Sequence, residues 1–155
     1  MISRNKKKIV LIILFLFNAT AYADKYVGRG DLKLHDVDLD NFMQYLSPKA
    51  GQSSDKFWIV VEDGKAIWST YWYCDEGNCH ETPKSRAAKQ CAKDAEKYYK
   101  DKKYLECFIF AKKRVVVWDN SINPAHFDES SFSSKWDKSK VIKKLSELGF
   151  EMYAD

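Results

Sequence analysis

The stretch that decides the fold is Phe57–Cys74, which reads FWIVVEDGKAIWSTYWYC. Two runs rich in β-branched and aromatic residues flank Asp63-Gly64, and this arrangement is the strongest short-range signal for a β-hairpin. Because side chains alternate along a strand, one face of the second strand carries Trp68, Thr70, Trp72 and Cys74. We expect that face to lie in the core, and Tyr71 and Tyr73, on the opposite face, to point outward.

The hairpin is followed by a predicted helix and a second pair of strands. Thr82-Pro83 supplies a capping residue and a proline at the first helical position, and the helical pattern runs to about Lys100. One stripe of this helix would pack on a sheet, and it consists of Ala88, Cys91, Ala95 and Tyr98. Leu105–Ala111, Lys112-Lys113 and Arg114–Trp118 then have the pattern of strand, turn and strand.

Helices flank this centre on both sides. Val37–Leu46 has the pattern of a short helix capped by Asp38, and Lys138–Leu148 that of a final helix before a short strand near Phe150–Tyr153. The polar stretch Asp119–Lys135 is typical of a long loop. The predicted order is ββαββ with a helix at each end, which indicates an α+β domain.

The first 23 residues have the three parts of a cleavable secretory signal. Residues 1–8 are basic without an acid, residues 9–17 form an unbroken apolar run, and Ala21-Tyr22-Ala23 fits the small-x-small rule of signal peptidase. A membrane anchor would need about 20 apolar residues, and this run ends after nine. The sequence therefore predicts a single domain over residues 24–155, in the periplasm or outside the cell, with no integral membrane segment after cleavage.

Removal of this signal changes the net charge. The whole chain has 26 Lys and Arg against 22 Asp and Glu. Four of the basic residues and none of the acids lie in residues 1–23, so the chain from Asp24 is balanced at 22 of each sign. Nucleic-acid binding needs a basic surplus or stripe, and the predicted mature chain has no surplus. We therefore exclude nucleic acid as a partner.

Four cysteines remain in the predicted mature chain: Cys74, Cys79, Cys91 and Cys107. An even number in an oxidising compartment indicates disulfides, and three pairings are possible. A turn-forming stretch between Cys74 and Cys79 can bring these two together, so we favour 74–79 with 91–107. The second bridge would join the central helix to the following strand and stabilise the domain by about 3 kcal/mol.

A resemblance rests on an opening, Gly28-x-Gly30 with Leu32 and the helix with Phe42, Tyr45 and Leu46, and on four later strings. They are the Asp63-Gly64 hairpin, Tyr73-Cys74 with Cys79, Arg86-Ala87-Ala88 with Cys91, and Cys107-Phe108-Ile109-Phe110-Ala111 with Val116-Val117-Trp118. Together they are similar to a family of small secreted bacterial proteins, chiefly from α-proteobacteria. The resemblance covers about residues 28–118 and implies the fold and export. The resemblance implies no catalytic role for this chain, and it does not extend to the residues from Asp119 onward.

Two cysteines and a histidine, as in some haem and metal motifs, lie close together in Cys74-Asp75-Glu76-Gly77-Asn78-Cys79-His80. Covalent haem attachment uses two cysteines two residues apart and a following histidine, whereas four residues separate this pair. A structural zinc site needs a second close pair, which the other cysteines do not form. Asp36-Val37-Asp38-Leu39-Asp40 resembles the start of a calcium loop, but Asn41 and Ser47 occupy the places that require Gly and Glu. We predict no cofactor and no metal.

No pattern of residues dictates a reaction. The candidate bases are His35, His80 and His126, and the chain has no Gly-x-Ser-x-Gly elbow. Aromatic side chains crowd the hairpin instead, and an uncovered strip of them would mark an interaction site. We therefore predict a non-catalytic envelope protein that binds a glycan or an envelope protein, through candidate residues Tyr71, Tyr73, His80 and Trp118. The alternative is a periplasmic hydrolase-like enzyme with a site around His80 and nearby acids.

Overall fold

The computed structural model describes residues 24–49, 52–74 and 83–154, apart from the side chains of residues 53, 54 and 74. The elements in these ranges are β1 (Lys33–His35), α1 (Asp36–Leu46), β2 (Ser53–Glu62), β3 (Lys65–Cys74), α2 (Lys84–Tyr98), β4 (Cys107–Lys112), β5 (Val115–Val116), α3 (Lys138–Glu147) and β6 (Glu151–Tyr153). The strands form one mixed sheet in the order β5-β4-β2-β3-β1-β6. The predicted α+β class is confirmed. β1, which lies parallel between β3 and β6, is an addition to the predicted order.

Two tight turns organise the antiparallel part of the sheet. Asp63 and Gly64 join β2 to β3 as predicted, with positive φ values of 49° and 73°. β4 and β5 are joined at Lys113 and Arg114, one residue later than predicted, because Lys112 pairs with the first residue of β5. Both turn residues again have positive φ, 46° and 66°. Two-residue hairpin turns of this kind match the right-handed twist of the strands they connect.

Helices cover both faces of the sheet. α1 and α3 pack on one face and bury the larger core, whose aromatic members are Phe42, Tyr45, Phe57, Phe110, Trp118, Phe132 and Phe150. α2 packs on β2 and β4 on the other face. The smaller core there consists of Trp58, Val60, Ala87, Cys91, Ala95, Cys107 and Ile109. Burial of both cores supplies the main driving force for folding.

The face of β3 that we expected outside lies under α1. Tyr71 packs against the larger core, and Tyr73 lies next to it on the same face. On the opposite face, Trp68 packs against the smaller core, whereas Trp72 remains 40% exposed. The expectation fails because α1 covers the tyrosine face, while α2 lies over β2 and β4 and leaves the far end of β3 uncovered.

One disulfide joins α2 to the sheet. Cys91 of α2 is bonded to Cys107 at the start of β4, with Cα atoms 6.1 Å apart. Both cysteines are buried, and the predicted 91–107 bridge is confirmed. Cys79 and the side chain of Cys74 lie outside the described residues, so the 74–79 bridge stays a prediction.

The chain that follows the predicted cleavage site is part of the sheet. The stretch from Tyr26 to Gly30 lies between β4 and the residues after β5, through parallel bridges from Val27 to Ile109 and from Arg29 to Asp119. The indole N–H of Trp118 donates to the Gly30 carbonyl over 2.8 Å. These contacts join the beginning of the domain to its last third.

The long loop after β5 is held in place by buried polar groups. The side-chain amide of Asn120 donates to the Leu148 carbonyl over 2.8 Å, and that of Asn123 donates to the Trp118 carbonyl over 2.8 Å. The Ser130 hydroxyl donates to the Asn123 carbonyl oxygen over 2.6 Å. The loop therefore packs against the domain as a fixed part of its structure.

Candidate functional site

The tyrosines that we predicted to bind a ligand attach β3 to α1. The Tyr71 hydroxyl donates to Gln44 Oε1 over 2.9 Å, and the Tyr73 hydroxyl donates to the Gln44 backbone carbonyl. Burial raises the pKa of Tyr73 to about 12, so its hydroxyl keeps the proton that it donates. The hydroxyl groups of both tyrosines are thus hydrogen-bonded within the protein.

The other two predicted binding residues have different positions. Trp118 is only 2% exposed and belongs to the larger core, so its ring is not on the surface. Its sequence position at the end of a strand did not reveal that the stretch from Tyr26 to Gly30 covers it. His80 lies outside the described residues.

An exposed aromatic surface lies on the α2 side of β3. We call it the aromatic surface, and it consists of Trp68, Thr70 and Trp72 of β3 and Tyr98 of α2. The Trp68 and Tyr98 rings are 4.5 Å apart between centroids, with an interplanar angle of 31°. Tyr98 is 70% exposed. Trp68 and Trp72 are separated along the strand by about 13 Å, with Thr70 between them.

Two features of the aromatic surface differ from what the sequence predicts. Tyr98 follows the stripe by which α2 packs on the sheet, so the helical spacing predicts a core position, but it lies at the last turn of the helix. Alternation places Trp72 on the same face as Trp68 and so predicts a core position for both. Neither pattern predicts where α2 stops covering that face. The indole N–H of Trp68 is buried without a hydrogen-bond partner in the described part of the chain.

The same face continues across β1 and β6 as a polar margin. Lys65 Nζ lies 5.3 Å from the centroid of the Tyr153 ring, and the Tyr153 ring meets His35 edge-on at 5.0 Å. The Tyr153 hydroxyl donates to the Ala66 carbonyl over 2.7 Å. An aromatic centre with a polar edge is the usual composition of a binding surface.

The described histidines do not assemble a nucleophilic site. His126 Nδ1 lies 2.8 Å from Glu129 Oε2, and both side chains are exposed. The neighbouring Ser130 hydroxyl is engaged with Asn123 and accepts the backbone N–H of His126. His35 is the N-cap of α1, since its Nδ1 accepts the Val37 N–H over 3.2 Å. The alternative hydrolase site around His80 falls in the undescribed segment.

The acids at the start of α1 have a structural role that differs from the predicted one. The cap is His35, and Asp38 completes a capping box from the third helical position, accepting the His35 N–H over 3.3 Å. Burial raises the pKa of Asp38. Nearby, the Asn41 amide donates to the Ser69 hydroxyl over 3.0 Å. This group therefore joins α1 to β3.

A depression of about 370 Å³ on the outer side of α2 is lined by Ser85, Arg86, Lys89, Gln90 and Lys93. Within residues 24–49, 52–74 and 83–154, no three His, Cys, Asp or Glu side chains gather closely enough to hold a metal ion. None of the helices in these ranges has the length and apolar composition needed to cross a bilayer.

Asp24, the first residue after the predicted cleavage site, forms ion pairs that make stability depend on pH. Its carboxylate accepts from Lys84 and Lys112, and the bond from Lys84 is the main reason why its pKa falls from 3.8 to about 2. Because the folded pKa lies below the unfolded one, the stabilisation is present above about pH 4 and is lost as the pH falls toward 2. We expect Asp24→Asn to lower the free energy of unfolding near pH 7 by about 1 kcal/mol, since the lysines are partly exposed.

Urea unfolding of the wild type and of Asp24→Asn between pH 7 and pH 2 measures this effect. The difference in free energy of unfolding between the two proteins should shrink to near zero at pH 2. Asp31→Asn, which changes an exposed acid with no ion pair in the described structure, is the matched control. An unchanged difference at pH 2 would show that the ion pairs are not its source.

No family model, curated protein or solved structure matches the chain.

Proposed function

We propose that this chain is an exported, non-catalytic binding module of the bacterial envelope, and that the aromatic surface contacts its ligand. Export rests on the secretory signal in residues 1–23, and the resemblance to small secreted α-proteobacterial proteins agrees with it. The disulfide between Cys91 and Cys107 suits an oxidising compartment. The proposed location is the periplasm or the medium.

The observation that carries the proposal is the exposure of Trp72 and Tyr98 on a rigid base. Trp72 projects from a ten-residue strand paired with β2. Tyr98 projects from a helix that the disulfide fastens to β4. Rings held on regular elements lose little conformational freedom on binding, and aromatic side chains dominate interface energetics for this reason.

The ligand class follows from what flat rings bind well. Their faces accept the C–H faces of sugar rings and the apolar side chains of proteins, and Thr70 and the polar margin supply hydrogen bonds at the side. An envelope glycan or an envelope protein is therefore the proposed partner.

Trp72→Ala tests the proposal. We expect the variant to lose most of the binding that the wild-type chain from Asp24 shows to peptidoglycan or to envelope protein fractions, because an exposed anchoring ring typically contributes about 2 kcal/mol or more at an interface. Co-sedimentation with peptidoglycan and pull-down from envelope protein fractions measure this binding. Titration of tryptophan fluorescence then gives the affinity.

Phe127→Ala is the matched control for this test. Phe127 is 69% exposed, but it belongs to the loop whose Ser131 pairs with β5 at the opposite edge of the sheet. Its removal should leave binding unchanged. Equal binding by the wild type and Trp72→Ala would overturn the assignment of this surface.

A further inference from the structure

Cations from three elements gather at one end of the sheet. We call this group the basic end, and it consists of Lys56 of β2, Lys84 of α2, and Lys112, Lys113 and Arg114 at the β4–β5 turn. Lys56 and Lys112 are paired residues of neighbouring strands. Lys84 and Lys112 share the Asp24 carboxylate, the latter over 3.2 Å. The chain from Asp24 is balanced in charge, but its charges are not evenly distributed.

The acids of the described structure leave part of this charge unpaired. Asp24 binds Lys84 and Lys112, and Asp55 binds Lys56. Lys113 and Arg114 are both exposed, and neither forms an ion pair with a described residue. The acids Asp75, Glu76 and Glu81 of the connection to α2 lie outside the described residues. Among the described residues, the turn is therefore the part of the basic end whose cations have no acidic partner.

The turn keeps its cations at a conformational cost. Lys113 and Arg114 both have positive φ, where Asn-Gly is the favoured pair and a longer side chain is strained. Three hydrogen bonds from elsewhere hold the turn: Lys113 N–H donates to the Asp55 carbonyl, Arg114 N–H to the Tyr45 hydroxyl, and Phe132 N–H to the Arg114 carbonyl. Strain that surrounding structure maintains is characteristic of functional sites.

We propose that the basic end binds the anionic phosphate surface of a phospholipid bilayer. The cations lie on the β4–β5 hairpin turn and beside it, so they gather at one end of the sheet, where Lys113 and Arg114 are exposed. Trp72 lies opposite Asp55 and Lys56 across β2 and β3, between the pairs Tyr73↔Ser54 and Tyr71↔Phe57. A tryptophan beside cations is the composition that favours the interface between lipid and water. This inference goes beyond the proposed glycan or protein binding and shares only Trp72 with it.

Vesicle co-sedimentation with the chain from Asp24 tests the inference. This chain keeps the described core, because the buried hydrophobic residues of the described structure all lie between Leu32 and Phe150. The vesicles are phosphatidylcholine alone, or phosphatidylcholine and phosphatidylglycerol at about three to one, at low salt. We expect binding to the anionic vesicles only. Lys113→Gln with Arg114→Gln should weaken that binding by about thirtyfold. The matched control, Lys140→Gln with Lys143→Gln, removes two exposed cations of α3 and should bind as the wild type does.

A turn-repair variant, Lys113→Asn with Arg114→Gly, separates a functional from a structural role of the turn. It should melt at a higher temperature than the wild type, because both residues suit positive φ, and it should still lose vesicle binding. Several results would overturn the inference: no wild-type binding to anionic vesicles, equal binding to neutral ones, or equal loss in the α3 control. Binding to polyglutamate without vesicle binding would assign the basic end to an acidic protein instead. Trp72→Ala with glycan or protein tests the other proposal, which can fail independently.

Discussion

Replacing Gly28 by alanine is expected to lower the free energy of unfolding by about 3 kcal/mol, because the added methyl group would collide with a buried ring. A Cβ atom at position 28 would lie 1.7 Å from Trp118 Cζ3. The ring cannot move aside easily, since it is buried and its N–H is bonded to Gly30. Urea unfolding measures the loss, and a fall in near-ultraviolet circular dichroism would report the displaced indole.

Gly30→Ala is the matched control for this prediction. Gly30 has a positive φ of 86°, but no atom lies within 4 Å of the place where its Cβ would be. Its substitution should cost only the backbone strain, about 1 kcal/mol. If the two variants were equally destabilised, the collision with Trp118 would not be the cause. In a Trp118→Leu background, the cost of Gly28→Ala should fall below that of the control, because Gly28 does not have a positive φ.

Removing both cysteines of the described disulfide is expected to have the second large effect. Cys91→Ala with Cys107→Ala opens a loop with a sequence separation of 16 residues, which should lower the free energy of unfolding by about 3 kcal/mol. Loss of two buried sulfur atoms adds to this cost. Denaturant unfolding without reducing agent measures the difference.

Two comparisons make this result specific to the bridge. Cys74→Ala with Cys79→Ala removes the predicted shorter bridge, and its effect should be smaller because the loop is short. Addition of reducing agent should bring the wild type toward the stability of the Cys91/Cys107 variant. A wild-type melting temperature that reducing agent leaves unchanged would contradict the stabilising role of the disulfides.

The sequence predicts those parts of the fold that depend on local signals. Asp63-Gly64 specifies the β2–β3 turn because few other residues accept two positive φ values. Cys91 and Ala95 recur at helical spacing, and they do pack on the sheet. β1 escaped prediction because it has three residues and joins the sheet through partners that are distant in the chain.

Exposure of the candidate site depends on which side chains of β3 the helices cover. The alternation of side chains along a strand cannot predict this. Alternation correctly separates Trp72 from Tyr71, but α1 covers one face of β3 whereas α2 lies over β2 and β4 on the other, so exposure is decided by where each helix lies and ends. α1 reaches the tyrosines through Gln44, and α2 does not reach Trp72. The sequence predicts the β4–β5 turn one residue too early, because Lys113-Arg114 lacks the Asn or Gly that usually marks such a turn.

The position of Tyr26–Gly30 in the sheet has a consequence for the order in which the chain folds. Its partners, Ile109 and Asp119, are 82 and 90 residues further along. Such distant pairing is slow to form, because a long loop must close before any contact compensates the lost entropy. We therefore expect the first residues of the domain to be fixed among the last, after β4 and Trp118 have emerged. The sheet therefore cannot be completed until most of the chain has been made, and its edge beside β4 stays open until then.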